Sequence, residues 1–121
     1  MSNSPEFSEH SKTGSINVGG RAILAPESSI TYENCQPLKS EFDDALKENK
    51  TEIILDCKQV SLVDSTALEL LLQTHAELRS KGGALKIVGL NEVCRDILLV
   101  TRLINVLFVY KDIHEAITSI P

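Results

Sequence analysis

Alternation and spacing of apolar residues divide the chain into short strand-like and helix-like runs from residue 15 onward. Ser15-Ile16-Asn17-Val18 alternates polar with apolar, Gly19-Gly20 reads as a turn, and Arg21-Ala22-Ile23-Leu24-Ala25 as a second strand. Two such runs around a glycine pair predict a β-hairpin. Pro26-Glu27-Ser28-Ser29 ends the pattern and opens a loop. From about Glu33 to Glu48, Leu38, Phe42, Ala45 and Leu46 lie on one stripe of an amphipathic helix, with Pro37 tolerable only in its first turn. Glu52-Ile53-Ile54-Leu55-Asp56 is a nearly continuous apolar run, as expected of a strand buried on both faces.

Ser65 to Lys81 predicts a long helix. Leu68, Leu71, Leu72 and Leu78, with Ala67 and Ala76, form its apolar face; Glu69, Gln73 and Glu77 form a polar row; Gly82-Gly83 supplies the stop. Ala84 to Val88 follows as a buried strand. Asn91 is placed to cap a helix reaching about Thr101, Val106 to Val109 reads as a last strand, and Asp112 caps a final helix ending near Ser119. The order β-β-α-β-α-β-α-β-α implies a mixed α/β fold, a sheet covered by helices. Residues 1–13 are rich in Ser, Glu and Lys and read as a flexible tail, with 14–121 as a single domain.

Composition narrows the classes. The chain has 121 residues and 12 Lys plus Arg against 17 Asp plus Glu, a net charge of −5, so there is no general cationic field for nucleic acid. Aliphatic residues are too plentiful for a disordered chain. Cys35, Cys57 and Cys94 are odd in number and form no C-x-x-C or Cys/His spacing, which argues for reduced thiols in a cytoplasmic protein and against a disulfide framework or zinc site. The polar opening MSNSPEFSEHSK has no apolar core of a secretory signal, and no apolar run is long enough to insert in a bilayer.

Enzyme signatures are missing or fragmentary. There is no phosphate-cradling loop, and Gly19-Gly20 lacks the third glycine of a dinucleotide fingerprint. Lys12-Thr13-Gly14 falls in the expected tail, and Asn49-Lys50-Thr51 is a glycosylation sequon without a secretory context. Ser65 sits where a strand-to-helix nucleophile would sit, but Val63-Asp64-Ser65-Thr66-Ala67 lacks the glycines of the tight elbow. His10, His75 and His114 read as surface or boundary residues with no spacing to Ser65 that would activate it, and Asp43-Asp44 as a solvated pair. No catalytic residue, cofactor or metal site is expected. On local grounds Asp64 or Ser65 is the N-cap of the long helix.

The strand, loop and Asp64-Ser65-Thr66 helix start, followed by Gly82-Gly83, a strand and a two-helix finish, resembles the STAS domain, and within it the single-domain anti-sigma factor antagonists of bacteria. The resemblance spans about residues 15–119, with Leu62-Val63-Asp64-Ser65-Thr66-Ala67-Leu68 as its local motif. It implies that Ser65 is the phosphoacceptor, Asp64 its acidic neighbour and Thr66 the adjacent hydroxyl. It also implies a serine-kinase anti-sigma factor and a serine phosphatase as partners. The partner surface expected is Ser28, Ser29 and Thr31 in the first loop, Asp64, Ser65 and Thr66 at the helix start, and Glu69, Leu70 and Gln73 along its flank; Leu70 reads either as a core residue or as an apolar anchor of that surface. An alternative within the family is an unmodified STAS subunit of a transporter or lipid-trafficking ATPase. Two positions depart from the family pattern: Ala67 replaces a glycine, putting a methyl where a partner is expected to pack, and Thr31 replaces an aspartate. A phosphate adds about −1.5 to −2 charge. Losing about 3–4 kcal/mol at an interface weakens binding by two to three powers of ten, so phosphorylation could act without large rearrangement.

Overall fold

The computed structural model describes the backbone of residues 13–119 and the side chains of 19–119; apart from Thr13, the expected tail lies outside the described residues. Strands β1 (Thr13–Val18) and β2 (Arg21–Pro26) pair antiparallel, joined by Gly19-Gly20. Gly19 alone of the two has a positive φ, +60°, the pattern of a type II′ hairpin turn. Strands β3 (Glu52–Asp56), β4 (Ala84–Val88) and β5 (Phe108–Tyr110) then add in parallel, giving sheet order β1-β2-β3-β4-β5. The helices are α1 (Gln36–Lys47), α2 (Ser65–Ser80), α3 (Glu92–Val100) and α4 (Ile113–Thr118). The expected order and the mixed sheet are therefore observed.

Local chemistry explains the element ends. Beyond α1, Asn49 turns left-handed (φ 61°), while its N–H reaches the Leu46 carbonyl and the Lys50 N–H the Ala45 carbonyl. Beyond α2, Gly82 (φ +82°) does the same: its N–H donates to Arg79 and that of Gly83 to Leu78, a Schellman closure. Asn91 and Asp112 cap α3 and α4 through the N–H groups of Cys94 and Glu115. After α3 the sequence reading differs. Arg102 turns left-handed (φ 66°), a 3₁₀ turn takes Leu103–Asn105, and the last strand starts at Phe108, leaving Val106 exposed. The apolar run Leu103 to Val109 gave no boundary between turn and strand.

Alternation along the strands separates two faces. Ala22, Leu24, Ile53, Leu55, Leu85 and Ile87 join Leu38, Phe42, Leu71, Leu78 and Leu98 in the main core beneath α1, α2 and α3. Ile54 and Val88 face the other way and are covered by Ala116 of α4. Lys86 is buried on that second face (3% exposed), where its Nζ donates to the carbonyls of Ala116 (2.7 Å) and Ser119 (2.9 Å). It also forms an ion pair with Glu52 Oε2 at 2.8 Å. The ammonium thus clamps the carbonyl end of a six-residue helix to the sheet.

Helix α2 is rotated from the expected face. Its buried residues are Ala67, Leu70, Leu71, Thr74, His75 and Leu78; Leu68 and Leu72 are half-buried and Ala76 is exposed. His75 is therefore not a surface residue. It meets Phe108 of β5 edge-on, ring centroids 5.2 Å apart, with Arg79 over the same phenyl ring and Nδ1 without a hydrogen-bond partner among the described residues. Burial first, and the Arg79 charge second, hold its pKa below the ordinary 6.5.

Two predictions follow from this packing. A Cβ on Gly83 would lie 1.8 Å from the Thr51 carbonyl oxygen, whereas one on Gly20 meets nothing closer than the Thr51 hydroxyl at 3.3 Å. Gly83→Ala is expected to cost about 3 kcal/mol or more and Gly20→Ala less than about 1 kcal/mol in denaturant melts. Because the folded pKa of His75 is depressed, the unfolded chain binds the proton first. Its stabilising contribution is present above pH 6.5 and declines as pH falls below that value. His75→Leu should flatten the urea-midpoint profile between neutral pH and pH 5, measured against the unsubstituted chain.

Candidate functional site

The site forms where the chain leaves the carboxyl ends of β2 and β3. The two loops run side by side: Ile30 and Val63 form a parallel bridge, the Ile30 N–H donates to the Leu62 carbonyl (3.0 Å), and the Asp64 N–H returns to the Ile30 carbonyl (3.3 Å). Ser29 Oγ and Ser61 Oγ lie 2.7 Å apart and add a side-chain link. On the other side, the Asn91 amide donates to the Ser61 carbonyl at 3.2 Å and fixes this loop against the start of α3.

The tip of the first loop is folded on Asn34. Its Oδ1 accepts from the N–H (2.8 Å) and hydroxyl (3.1 Å) of Thr31, and its Nδ2 donates to the Ser29 carbonyl (2.7 Å). A single carboxylate then joins tip to helix. Asp64, extended at the N-cap of α2, accepts the Ala67 N–H on Oδ1 (3.0 Å) and the Tyr32 N–H on Oδ2 (2.8 Å). The Ala67 bond first and the Tyr32 bond second hold the Asp64 carboxyl below the ordinary carboxylate range, so it is charged at neutral pH.

The cap is thus Asp64, and Ser65, first residue of the helix, is left exposed, its hydroxyl making no hydrogen bond to another described residue. Of the other residues expected at the site, Ser28, Glu69 and Gln73 are exposed, and Ser29, Thr31 and Thr66 half-buried. Leu70 does not join them. At 8% exposure it belongs to the main core and is unavailable as an anchor, because α2 turns that side to the sheet. Ala67, with no exposure, also points inward, so its methyl packs in the core and does not crowd an incoming partner. Two residues that sequence reasoning missed stand at the site instead: Tyr32 is 75% exposed and Leu62 46%. An aromatic in an otherwise polar loop was the available signal for Tyr32. No local pattern marked Leu62, which lies in the apolar run Leu62-Val63 and is exposed while its neighbour is buried.

Other chemistry is sparse. Among the described residues no three His, Cys, Asp or Glu gather to hold a metal, and no helix is long and apolar enough to cross a membrane. The three cysteines are free and buried, with burial pushing the thiols of Cys57 and Cys94 up, away from thiolate reactivity. Neither described histidine can serve Ser65 as a base: His75 is packed on Phe108, and His114 lies on α4.

The STAS domain model matches residues 12–116, so the chain belongs to the STAS domain family. A Thermotoga maritima protein named a putative anti-sigma factor antagonist is 28% identical over 99 residues, 81% of this chain and 88% of that protein. A crystal structure under the same description from that organism superposes with a TM-score of 0.83 at 27% identity, covering 89% of this chain and 93% of the other. The fold is also that of the Bacillus cell fate determinant SpoIIAA in its phosphorylated form, with a TM-score of 0.67, 17% identity, and coverage of 87% and 96%.

The Asp64 bonds give a prediction. A carboxyl whose folded pKa is depressed contributes stability above its ordinary value of 3.8 and loses it as pH falls through the lower folded value. Asp64→Ala is expected to lower Tm at neutral pH by about 5 °C, the size of a lost N-cap in a domain of this length, and to flatten the acid limb below pH 4. Ser65→Ala should change neither. Thermal melts from pH 7 to pH 2.5 check both.

Proposed function

We propose that the chain is an anti-sigma factor antagonist that works by partner switching. Unmodified, it docks on a serine-kinase anti-sigma factor and frees the sigma factor. Phosphorylation of Ser65 ends the docking, and a serine phosphatase restores it. The observation that carries this reading is the division of labour at the helix start. Asp64 does the capping, so Ser65 stands exposed and uncommitted, open to a kinase and next in sequence to the carboxylate that ties the Tyr32 loop to the helix start. The anti-sigma factor antagonist description of the Thermotoga relative supports the same reading.

The docking surface in this reading is the exposed rim of Tyr32 and Leu62 beside Ser28, Ser29, Thr31, Asp64, Ser65 and Thr66, with Glu69 and Gln73 along α2. The helix start offers a phosphate less than a bare helix would, because Asp64 already occupies the Ala67 N–H. The phosphorylated surface therefore carries a carboxylate and a phosphate side by side, a strongly anionic face where an uncharged hydroxyl had been. The alternative of a constitutive transporter or ATPase subunit requires no such change at Ser65.

The test is binding of the unsubstituted chain, Ser65→Ala and Ser65→Asp to a kinase-type anti-sigma factor from the same cell, by titration calorimetry. Ser65→Ala is expected to bind as the unsubstituted chain does, and Ser65→Asp about a hundredfold more weakly. Equal affinities for Ser65→Asp and Ser65→Ala contradict the reading.

A further inference from the structure

The loop that carries Tyr32 is attached to the Ser65 segment in two unequal ways. Its base is held by the two backbone bonds of the Ile30–Val63 bridge, Ile30 N–H to the Leu62 carbonyl and Asp64 N–H to the Ile30 carbonyl, and by the Ser29–Ser61 contact. Its tip, residues 31–34, is closed on itself through Asn34. Among the described residues it is hydrogen-bonded to the helix start through one contact, the Tyr32 N–H on Asp64 Oδ2. The same carboxylate holds the Ala67 N–H on its other oxygen. One group therefore closes both the helix and the loop tip, and it lies next in sequence to the residue proposed to receive phosphate.

A phosphate on Ser65 draws on the same small set of donors, the N–H groups of Ser65, Thr66 and Ala67 at the first turn. It brings nearly two negative charges against the single one on Asp64, and like charges sharing one set of donors repel. The phosphate is the stronger acceptor of the two, with three oxygens to offer. We propose that phosphorylation of Ser65 displaces the Asp64 carboxylate from the helix start and unfastens the Tyr32 tip, so that the switch alters the shape of the docking surface as well as its charge. The inference rests on the reading of Ser65 as the phosphoacceptor and adds to it a positioning role for Asp64. Tyr32 is a good carrier of such an effect. An aromatic ring that is 75% exposed on a hydrogen-bonded tip makes a rigid anchor, and the same ring on a loose tip must be ordered anew at each encounter. The base of the loop, held by its own bonds, stays in place.

The experiment needs no partner. The full chain, isotope-labelled and carrying genetically encoded phosphoserine at position 65, is compared by NMR with the unmodified chain, Ser65→Ala and Asp64→Ala. In the unmodified chain and in Ser65→Ala, the Tyr32 and Ala67 amide protons should both follow the acid titration of Asp64. In the phosphorylated chain the Tyr32 amide should move to its position in Asp64→Ala and exchange with water about tenfold to a hundredfold faster, the factor for losing one hydrogen bond to a charged acceptor. The Ile30 amide should stay unchanged. Asp64→Asn, with one acceptor oxygen left, cannot satisfy both amides and gives a second reference for the released tip. A Tyr32 amide that keeps its shift and its titration in the phosphorylated chain overturns the unfastening. That failure is separate from a failure of partner binding, which the Ser65→Asp titration reads by itself.

Discussion

The site depends on one carboxylate with two occupied oxygens. Asp64 satisfies a first-turn N–H of α2, which any good capping residue can do, and at the same time holds the backbone of a loop more than thirty residues earlier in the chain. A serine or threonine cap has a single oxygen and could not easily do both, and an asparagine would turn a donor toward one of the two N–H groups. The pairing also settles a local ambiguity. Asp64 and Ser65 compete as N-cap in the sequence. With Asp64 in that role, the serine hydroxyl has no structural duty and projects from the first residue of the helix.

The scaffold explains why the two loops meet. Strands β2 and β3 are parallel neighbours in register from Arg21–Glu52 to Leu24–Leu55, so the segments leaving their carboxyl ends start side by side. The Ile30–Val63 bridge resumes parallel pairing beyond the strands, shifted by two residues from the strand register, and seats two apolar residues, 3% and 6% exposed, under the polar rim. Functional loops at the carboxyl edge of parallel strands are the general solution of open α/β sheets. The opposite edge is built for closure instead, with Lys86 and Glu52 fixing the terminal helix to the second face of the sheet. One edge is thus closed by several contacts on Lys86, whereas the loop tip at the other is tied to the helix start by one hydrogen bond among the described residues.

Much of the architecture was legible because its signals are local. Gly82-Gly83 past a helix end, Asn91 and Asp112 as caps, and the apolar blocks of β3 and β4 each act within a few residues, and all lie where the sequence placed them. Features set by distant packing were not legible. The buried arc of α2 takes in Thr74 and His75, the latter against Phe108 of the edge strand, and carries Leu70 inward. The tie between Tyr32 and Asp64 uses a backbone N–H, which leaves no mark in residue type. A side-chain pattern could point to the serine at the helix mouth, but only the folded chain brings the aromatic rim to it.

The most direct trial is chemical: peptide mapping by mass spectrometry of the protein isolated from its own cells under conditions that activate and silence it. The account predicts a phosphate that comes and goes between the two conditions and maps to Ser65 alone. A chain that never carries phosphate, or carries it at Thr66 while Ser65 stays unmodified, would contradict it.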